Sequence, residues 1–182
     1  MIRDFNLIVT TRRGSEADAA VELKYILVEL GDEEVIVEES GIKGLIVAKT
    51  SMNPEEAIKK LREYLKKHPE EFMHIKRVIP IEKVVKTRLE EIREAAAKLA
   101  HKIAEHESFR VTLEKRFTDL HSMDIIRSAA EKISRKVNLE APDKILLVQV
   151  LGGVTGLSVI RPEQILHVDK EKEKLAREQR GA

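Results

Sequence analysis

Basic residues crowd one stretch of the chain. Between residues 109 and 137 seven Lys/Arg stand against four Asp/Glu, although the 182 residues together carry a net charge of only +1. Residues 1–85 hold 14 Lys/Arg against 16 Asp/Glu, residues 86–137 hold 12 against 9, and residues 138–182 hold seven of each. Lysines and arginines interleaved with hydroxyls suit the phosphates and 2′-hydroxyls of a folded RNA, which is read largely by shape. Eight residues form the candidate set. Arg110, Lys115, Arg116 and His121 fall on a strand-like run and the loop after it, and Arg127 falls near the start of the next helix. Lys132, Arg135 and Lys136 follow Ser128 at i+4, i+7 and i+8, which puts them on one polar face if that helix runs over residues 122–137. Arg116 leads the set, because it ends a strand whose other face is apolar; its plainer role is to pair with Asp119 or Asp124 and order the loop. For the whole set the plainer role is a solvated surface.

Other chemistry is scarce. The absence of cysteine removes disulfides, thiolate metal sites and cysteine nucleophiles. His101 and His106 are five apart, about 140° around a helix, and no carboxylate joins them at ligand spacing. No GxxxxGK[ST] phosphate loop occurs, and the run Gly152-Gly153-Val154-Thr155-Gly156 stands between two strand patterns, which favours a tight turn over an anion site. Gln149 and Gly152 begin the Q/R-x-x-G-x-G/A pattern of an acyl-CoA loop, but Val154 takes the place of its second glycine. The expectation is therefore no catalytic residue, no cofactor and no metal. Aromatics make up 3% of the chain and tryptophan is absent, so base stacking is not expected as the main mode of nucleic-acid binding. No apolar run approaches the roughly 18 residues of a membrane span, and the polar start reads as cytoplasmic. Abundant Lys, Arg and Glu beside three Asn and three Gln point to a heat-adapted source.

Two blocks of structure must position these residues. In the first, residues 5–11, 34–39, 45–50 and 75–85 have strand patterns. Between them lie an apolar stripe of Ala19, Ala20, Leu23, Ile26, Leu27 and Leu30 behind a cap at Ser15, and a second helix capped by Asn53-Pro54 and closed by Pro69. The order βαββαβ is that of a ferredoxin-like unit. In the second, Leu89, Ile92, Ala96, Leu99 and Ile103 predict a helix of four to five turns. A strand over 109–116 follows, then a helix with Ser122 as N-cap and Ile125, Ile126, Ala129, Ala130, Ile133 and Val137 buried, then strands over 144–151 and 157–160. Residues 169–180 are charged and read as a solvated tail.

The stretch FRVTLEKRFTDLHSMDIIRSAAEKI, followed by KVNLEAPDKILLVQVLGGVTGLSVIRPEQI, resembles the THUMP domain, and specifically the stand-alone THUMP proteins that act as adaptors in tRNA cytidine acetylation. The resemblance is carried by Phe109-Arg110-Val111 leading to Lys115-Arg116, by Ser122-Met123-Asp124 with Ile126-Arg127, by Val137, Leu139 and Pro142, and by Gly152, Gly156 and Leu157-Ser158-Val159. It covers about half the chain. It implies an α+β chain with an N-terminal ferredoxin-like domain (1–85), a THUMP domain (86–168) and a charged C-terminal tail (169–182). It further implies a non-catalytic adaptor that binds structured tRNA, near the acceptor end in other THUMP enzymes, and presents it to a separate cytidine acetyltransferase that brings the acetyl-CoA chemistry. No fused thiolation, methylation or deamination domain is recognised in the sequence. Two other classes stay open: an RNA-modifying enzyme with an unrecognised site, and a protein-interaction or ligand-sensing module. Association with further copies of the chain is compatible with all three.

Overall fold

A computed structural model describes all residues from Met1 to Ala182. The chain is mixed α+β and forms two compact units, Met1–Pro80 with Glu163–Ala182, and Ile81–Pro162. The first unit is discontinuous. Its strands β1 (Leu7–Thr11), β2 (Ile36–Glu39), β3 (Leu45–Lys49), β4 (Ile75–Pro80) and the short β10 (Leu166–His167) stand in the order β10-β4-β1-β3-β2, with every neighbouring pair antiparallel. Helices α1 (Glu16–Glu29) and α2 (Pro54–Lys67) cover one face of this sheet through Leu23, Ile26, Leu27, Ile58, Leu61 and Leu65. Asn53 caps α2 as its sequence predicts, accepting from the amides of Glu55 and Glu56. Ser15 makes no side-chain bond to α1, whose first turn is instead helped by Glu16 and Asp18.

The C-terminal segment corrects the division drawn from the sequence. Residues 163–182 return to the first unit, where Leu166 and Val168 are fully buried and the helix α5 (Val168–Arg180) begins. Arg62 fixes the return by donating to the carbonyls of Glu163 (2.6 Å) and Ile165 (3.3 Å) and to the carboxylate of Glu171 (3.0 Å). Lys172 Nζ adds a bond of 2.5 Å to the carbonyl of Phe72. Charge did not make this segment a free tail, because two apolar side chains and one arginine fork suffice to anchor its start.

The second unit starts at Ile81 because the run of residues 75–85 is two strands, not one. After β4 leaves the first sheet, β5 (Lys83–Lys86) pairs with β9 (Val154–Ile160) in another. That sheet has the order β5-β9-β8-β6-β7, with β8 (Lys144–Leu151), β6 (Ser108–Arg116) and the two-residue β7 (Lys136–Val137). β6 is parallel to β7 and β8, while β9 is antiparallel to β5 and β8. A parallel pair needs a long crossover, and residues 117–143 supply it with the helix α4 (Ser122–Ala130). Helix α3 (Leu89–Leu99) lies on the same face as α4, and the two bury Ile92, Ala96, Ile125 and Ala129 against Leu146, Val148, Leu157 and Val159. On β9, a Cβ at Gly156 would stand 3.0 Å from Ile81 Cγ2, so any larger residue there has to displace this buried side chain by a few tenths of an ångström.

Both helices of this unit are shorter than their apolar spacing predicts. α3 gives way to a 3₁₀ turn at Ala100, so Ile103 is buried from an extended backbone. α4 stops at Ala130, and Ile133 reaches the core through a turn in which its amide donates to the carbonyl of Ala130. Val137 belongs to β7 and is exposed.

Candidate nucleic-acid interface

One end of the second sheet gathers basic groups from two strands, β5 and β6. Lys86, Val154, Leu151 and Arg116 are successive partners across β5, β9, β8 and β6. At the usual strand spacing the first and last Cα atoms of this row are about 14 Å apart. The loop beyond β6 is tied to the β8–β9 turn, since Gly152 N donates to the carbonyl of Arg116 at 2.8 Å. That turn has only two residues, and Gly152 takes it with φ 60°. On its other side Thr87 N donates to the carbonyl of Gly153 at 3.0 Å, and the hydroxyls of Thr87 and Thr155 are 2.9 Å apart.

Both helices of the unit begin at this end. Arg88 is the N-cap residue of α3 and His121 that of α4, and neither side chain caps its own helix. Free amides at helix starts favour anions, which adds to the charge of Lys86, Arg88, Lys115 and Arg116. These stand also beside acids, Glu90 and Glu91 in the first turn of α3, Asp119 in the loop and Asp124 in the first turn of α4. Lys86, Lys115 and His121 are exposed; Lys115 Nζ donates to the carbonyl of Leu120 at 2.8 Å, and Arg88 pairs weakly with Glu91 at 3.9 Å.

The eight residues named from the sequence do not form one face. Lys115, Arg116 and His121 lie at the end just described. Arg110 lies six residues back along β6, about 20 Å away at strand rise, where it donates to the carbonyl of Leu139 at 2.9 Å. Arg135 is near that opposite end too, donating to the carbonyls of Ile103 (2.9 Å) and Ser134 (2.8 Å). Lys136 is exposed on β7, opposite Ser108. The helical face expected for Lys132, Arg135 and Lys136 does not exist, because all three lie past the end of α4. Lys132 pairs with Glu94 of α3 at 2.5 Å, which holds the Glu94 carboxyl below its ordinary value, while Arg93 pairs with Glu131 at 3.0 Å. Arg127 is exposed on α4 beside this ion-paired strip.

Arg116 is largely embedded, with a side chain 18% exposed. It pairs with neither Asp119 nor Asp124. Its guanidinium donates to Gln149 Oε1 at 2.8 Å and to Glu114 at 3.2 Å, and Gln149, fully buried, donates in turn to Glu114 at 3.3 Å. Gln149 is thus held inside the sheet. Sequence reading missed Lys86 and Arg88, whose approach to Lys115 depends on the β5–β9 pairing. It also missed Phe117, which is 79% exposed and has φ 55°. For metals, ligand atoms of His68, Glu70 and Glu71 lie within 4.8 Å of one another in the first unit. Glu71 there already accepts the Tyr64 hydroxyl at 2.5 Å, and this bond drives the Tyr64 pKa strongly up. No helix is long and apolar enough to cross a membrane.

Known proteins share this fold. Residues 86–160 match the family model of the THUMP domain. An uncharacterized protein of Methanocaldococcus jannaschii is 28% identical over 170 residues, which are 91% of this chain and 43% of the relative. Among solved structures, PH1313 from Pyrococcus horikoshii superposes with a TM-score of 0.62 at 22% identity, over 86% of this chain and 55% of that one. TrmN from Thermus thermophilus gives 0.55 at 20% identity, over 84% and 44%. A 4-thiouridine synthetase solved in complex with RNA and ATP gives 0.54 at 16% identity, over 87% and 42%. The chain therefore spans about half the length of these relatives or less. The domain match, coinciding with the second unit and its basic end, makes residues 86–160 a THUMP domain.

Proposed function

We propose that the chain is a non-catalytic tRNA-binding adaptor that presents tRNA to a separate cytidine acetyltransferase. The observation that carries the RNA-binding part is the row from Lys86 to Arg116, with Lys115, Arg88 and His121 around two helix starts, inside a THUMP domain. Cations and free amides spread over about 14 Å can touch several phosphates of one RNA, while the charge pattern carries no sequence code; such a surface reads shape. The similar solved chains include a 4-thiouridine synthetase crystallised with RNA, and this chain corresponds to 42% of it. That share fits a substrate-holding portion whose chemistry resides in other residues. The strand order β4-β1-β3-β2 with antiparallel pairing supports reading the first unit as ferredoxin-like, the partner expected before the THUMP unit in adaptors of this kind. Joining tRNA and enzyme on one scaffold raises their effective concentration, so modest affinity for each is enough.

The test has two arms. The purified chain is titrated with unfractionated tRNA at several salt concentrations, and is then incubated with tRNA and acetyl-CoA with and without the acetyltransferase. Salt-dependent binding, together with acetylcytidine formed only when the acetyltransferase is present and faster with this chain added, is the expected result. Acetylcytidine formed by the chain alone overturns the adaptor role; absence of tRNA binding at low salt overturns the RNA role as well.

A further inference from the structure

Phe117 is the only non-glycine residue of the chain with a left-handed backbone, at φ 55°, and its ring is 79% exposed. Both features oppose folding. A bulky side chain in this region carries a conformational cost that glycine avoids, and an exposed ring recovers nothing from the core. The surrounding loop nevertheless fixes it. The carbonyl of Arg116, immediately before it, accepts from Gly152 N at 2.8 Å; Lys115 Nζ spans the loop to the carbonyl of Leu120 at 2.8 Å; and Leu120 N donates to Thr118 Oγ1 at 3.2 Å. Backbone outliers that their surroundings hold in this way concentrate at ligand sites.

The charges around the ring choose its occupant. Exposed Lys115 precedes it, with Arg116 next to it held by Gln149 and Glu114; His121, which offers a ring N–H, follows at the start of α4, and Asp119 is the one acid between. A flat apolar face among cations matches a nucleobase whose flanking phosphates lie on those cations, and matches an apolar protein surface less well. We propose that Phe117 is a stacking platform for one unpaired base of the bound RNA. The inference rests on the RNA-binding reading above and adds a selectivity to it. Phosphate contacts alone do not separate a continuous duplex from one with a free base, whereas a ring does, because a base inside a helix already has both faces stacked.

The experiment uses the full chain and three RNA hairpins of one duplex sequence, each closed by a polyethylene glycol linker in place of a loop so that no loop base is free: blunt, with a single-stranded 3′ tail, and with an internal bulge. Unfractionated tRNA is the positive control. Phe117→Gly removes the ring and suits φ 55°, so this variant melts at or above the parent temperature, which separates a lost contact from a lost fold. Phe117→Trp retains a stacking face. The expected result is a loss by Phe117→Gly of on the order of 5- to 150-fold in affinity for the tailed or the bulged hairpin, the range for stacking one base. Affinity for the blunt hairpin and the salt slope stay unchanged, and Phe117→Trp binds like the parent. Parent-like binding of both interrupted hairpins by Phe117→Gly, or an equal loss on all three, overturns the inference. Failure of the parent chain to bind any of these RNAs, tRNA included, overturns the RNA reading on which it rests.

Discussion

The parallel strands β6 and β8 have two ends that use charge in opposite ways. At the amino end, Asp143 accepts from the amide (2.8 Å) and hydroxyl (3.1 Å) of Ser108, and Lys144 donates to the carbonyl of Lys102 (2.6 Å) and to Glu107 (3.1 Å). Arg110 and Arg135 there donate to backbone carbonyls. At the carboxyl end Lys86 and His121 face solvent, Lys115 meets one carbonyl, and two helices begin without side-chain caps. The first end consumes its charges in closing the sheet, Lys136 on β7 excepted; the second engages Arg116 in the same way but leaves Lys86 for something else. Ligands of open sheets with crossover helices bind outside the carboxyl ends of parallel strands for a related reason, since chain reversal opens a crevice and aims helix starts at it. Net charge conceals the contrast, with 15 Lys/Arg against 12 Asp/Glu over the whole second unit.

The largest effect should come from stripping the open end. Replacing Lys86, Arg88 and Lys115 together by alanine is expected to weaken tRNA binding by on the order of 100-fold, taking about 1 kcal/mol for each charge-assisted contact. It should also lower the log-affinity against log-salt slope by about 0.7 to 0.9 for each lost phosphate contact. Each single change should move stability by less than about 0.5 kcal/mol, as exposed substitutions do. Melting curves and salt titrations of the same samples check both statements. An unchanged slope would remove phosphate binding from this end.

Arg116 sharpens the comparison because it belongs to both uses. Its removal leaves buried Gln149 and half-buried Glu114 short of a donor, so Arg116→Ala should cost about 1–3 kcal/mol in stability besides any loss of affinity. Denaturation midpoints and affinity per folded molecule separate the two parts. Retained stability would mean that the guanidinium is not needed by its neighbours. A smaller effect is expected at the closed end, where Ser108→Ala removes a hydroxyl that donates to the Asp143 carboxylate and accepts from the Asp143 amide, and should cost about 1–2 kcal/mol while tRNA affinity per folded molecule stays at the parent value. Weakened binding by this variant, once corrected for unfolding, would bring the amino end into the interface.

How far such a contrast can be read in sequence depends on the range of the interactions behind it. The strand read at residues 109–116, the Asn53 cap and the two strands around Gly152 follow local rules of alternation, capping and turn chemistry, and these are visible in the residue order, although the second of those strands starts at Val154 and not at residue 157. The end of α4 is not, because Ile133 continues its apolar spacing while reaching the core from a turn. The break between Pro80 and Lys83 is hidden for a similar reason: apolar residues run through it, and only non-local pairing sends β4 and β5 to different sheets. The return of Leu166 to Val78 is also non-local, and two apolar residues before a charged run give it no local mark. At the candidate interface, Lys115 and Arg116 stood out by density, but Lys86 and Arg88 join them only through the β5–β9 ladder. A left-handed phenylalanine leaves no trace in composition.

The closed end also makes a prediction in acid. The Asp143 carboxyl is held below its ordinary value of 3.8 by the amide and hydroxyl of Ser108, and that of Glu107 below 4.5 by the amide of Ala104 and then by Lys144. Carboxyls depressed in the folded state are worth stability above their unfolded values, and that stability is lost as pH falls through the folded values. Both therefore contribute in full near neutrality and fade only below about pH 4. His167, in the first unit, is depressed from 6.5 chiefly by burial and then by Lys170, Arg77 and Arg62, while Glu171 works the other way. By the same sign its contribution is complete above 6.5 and disappears as pH drops through its lower folded value, so its loss begins at a higher pH than those of the carboxyls. Melting temperature against pH should accordingly fall in two steps. His167→Gln should flatten the upper step, and Asp143→Asn combined with Glu107→Gln the lower one. A single step that survives all three substitutions would show that other carboxylates control acid unfolding and that the bonds at the amino end of β6 and β8 contribute little to it.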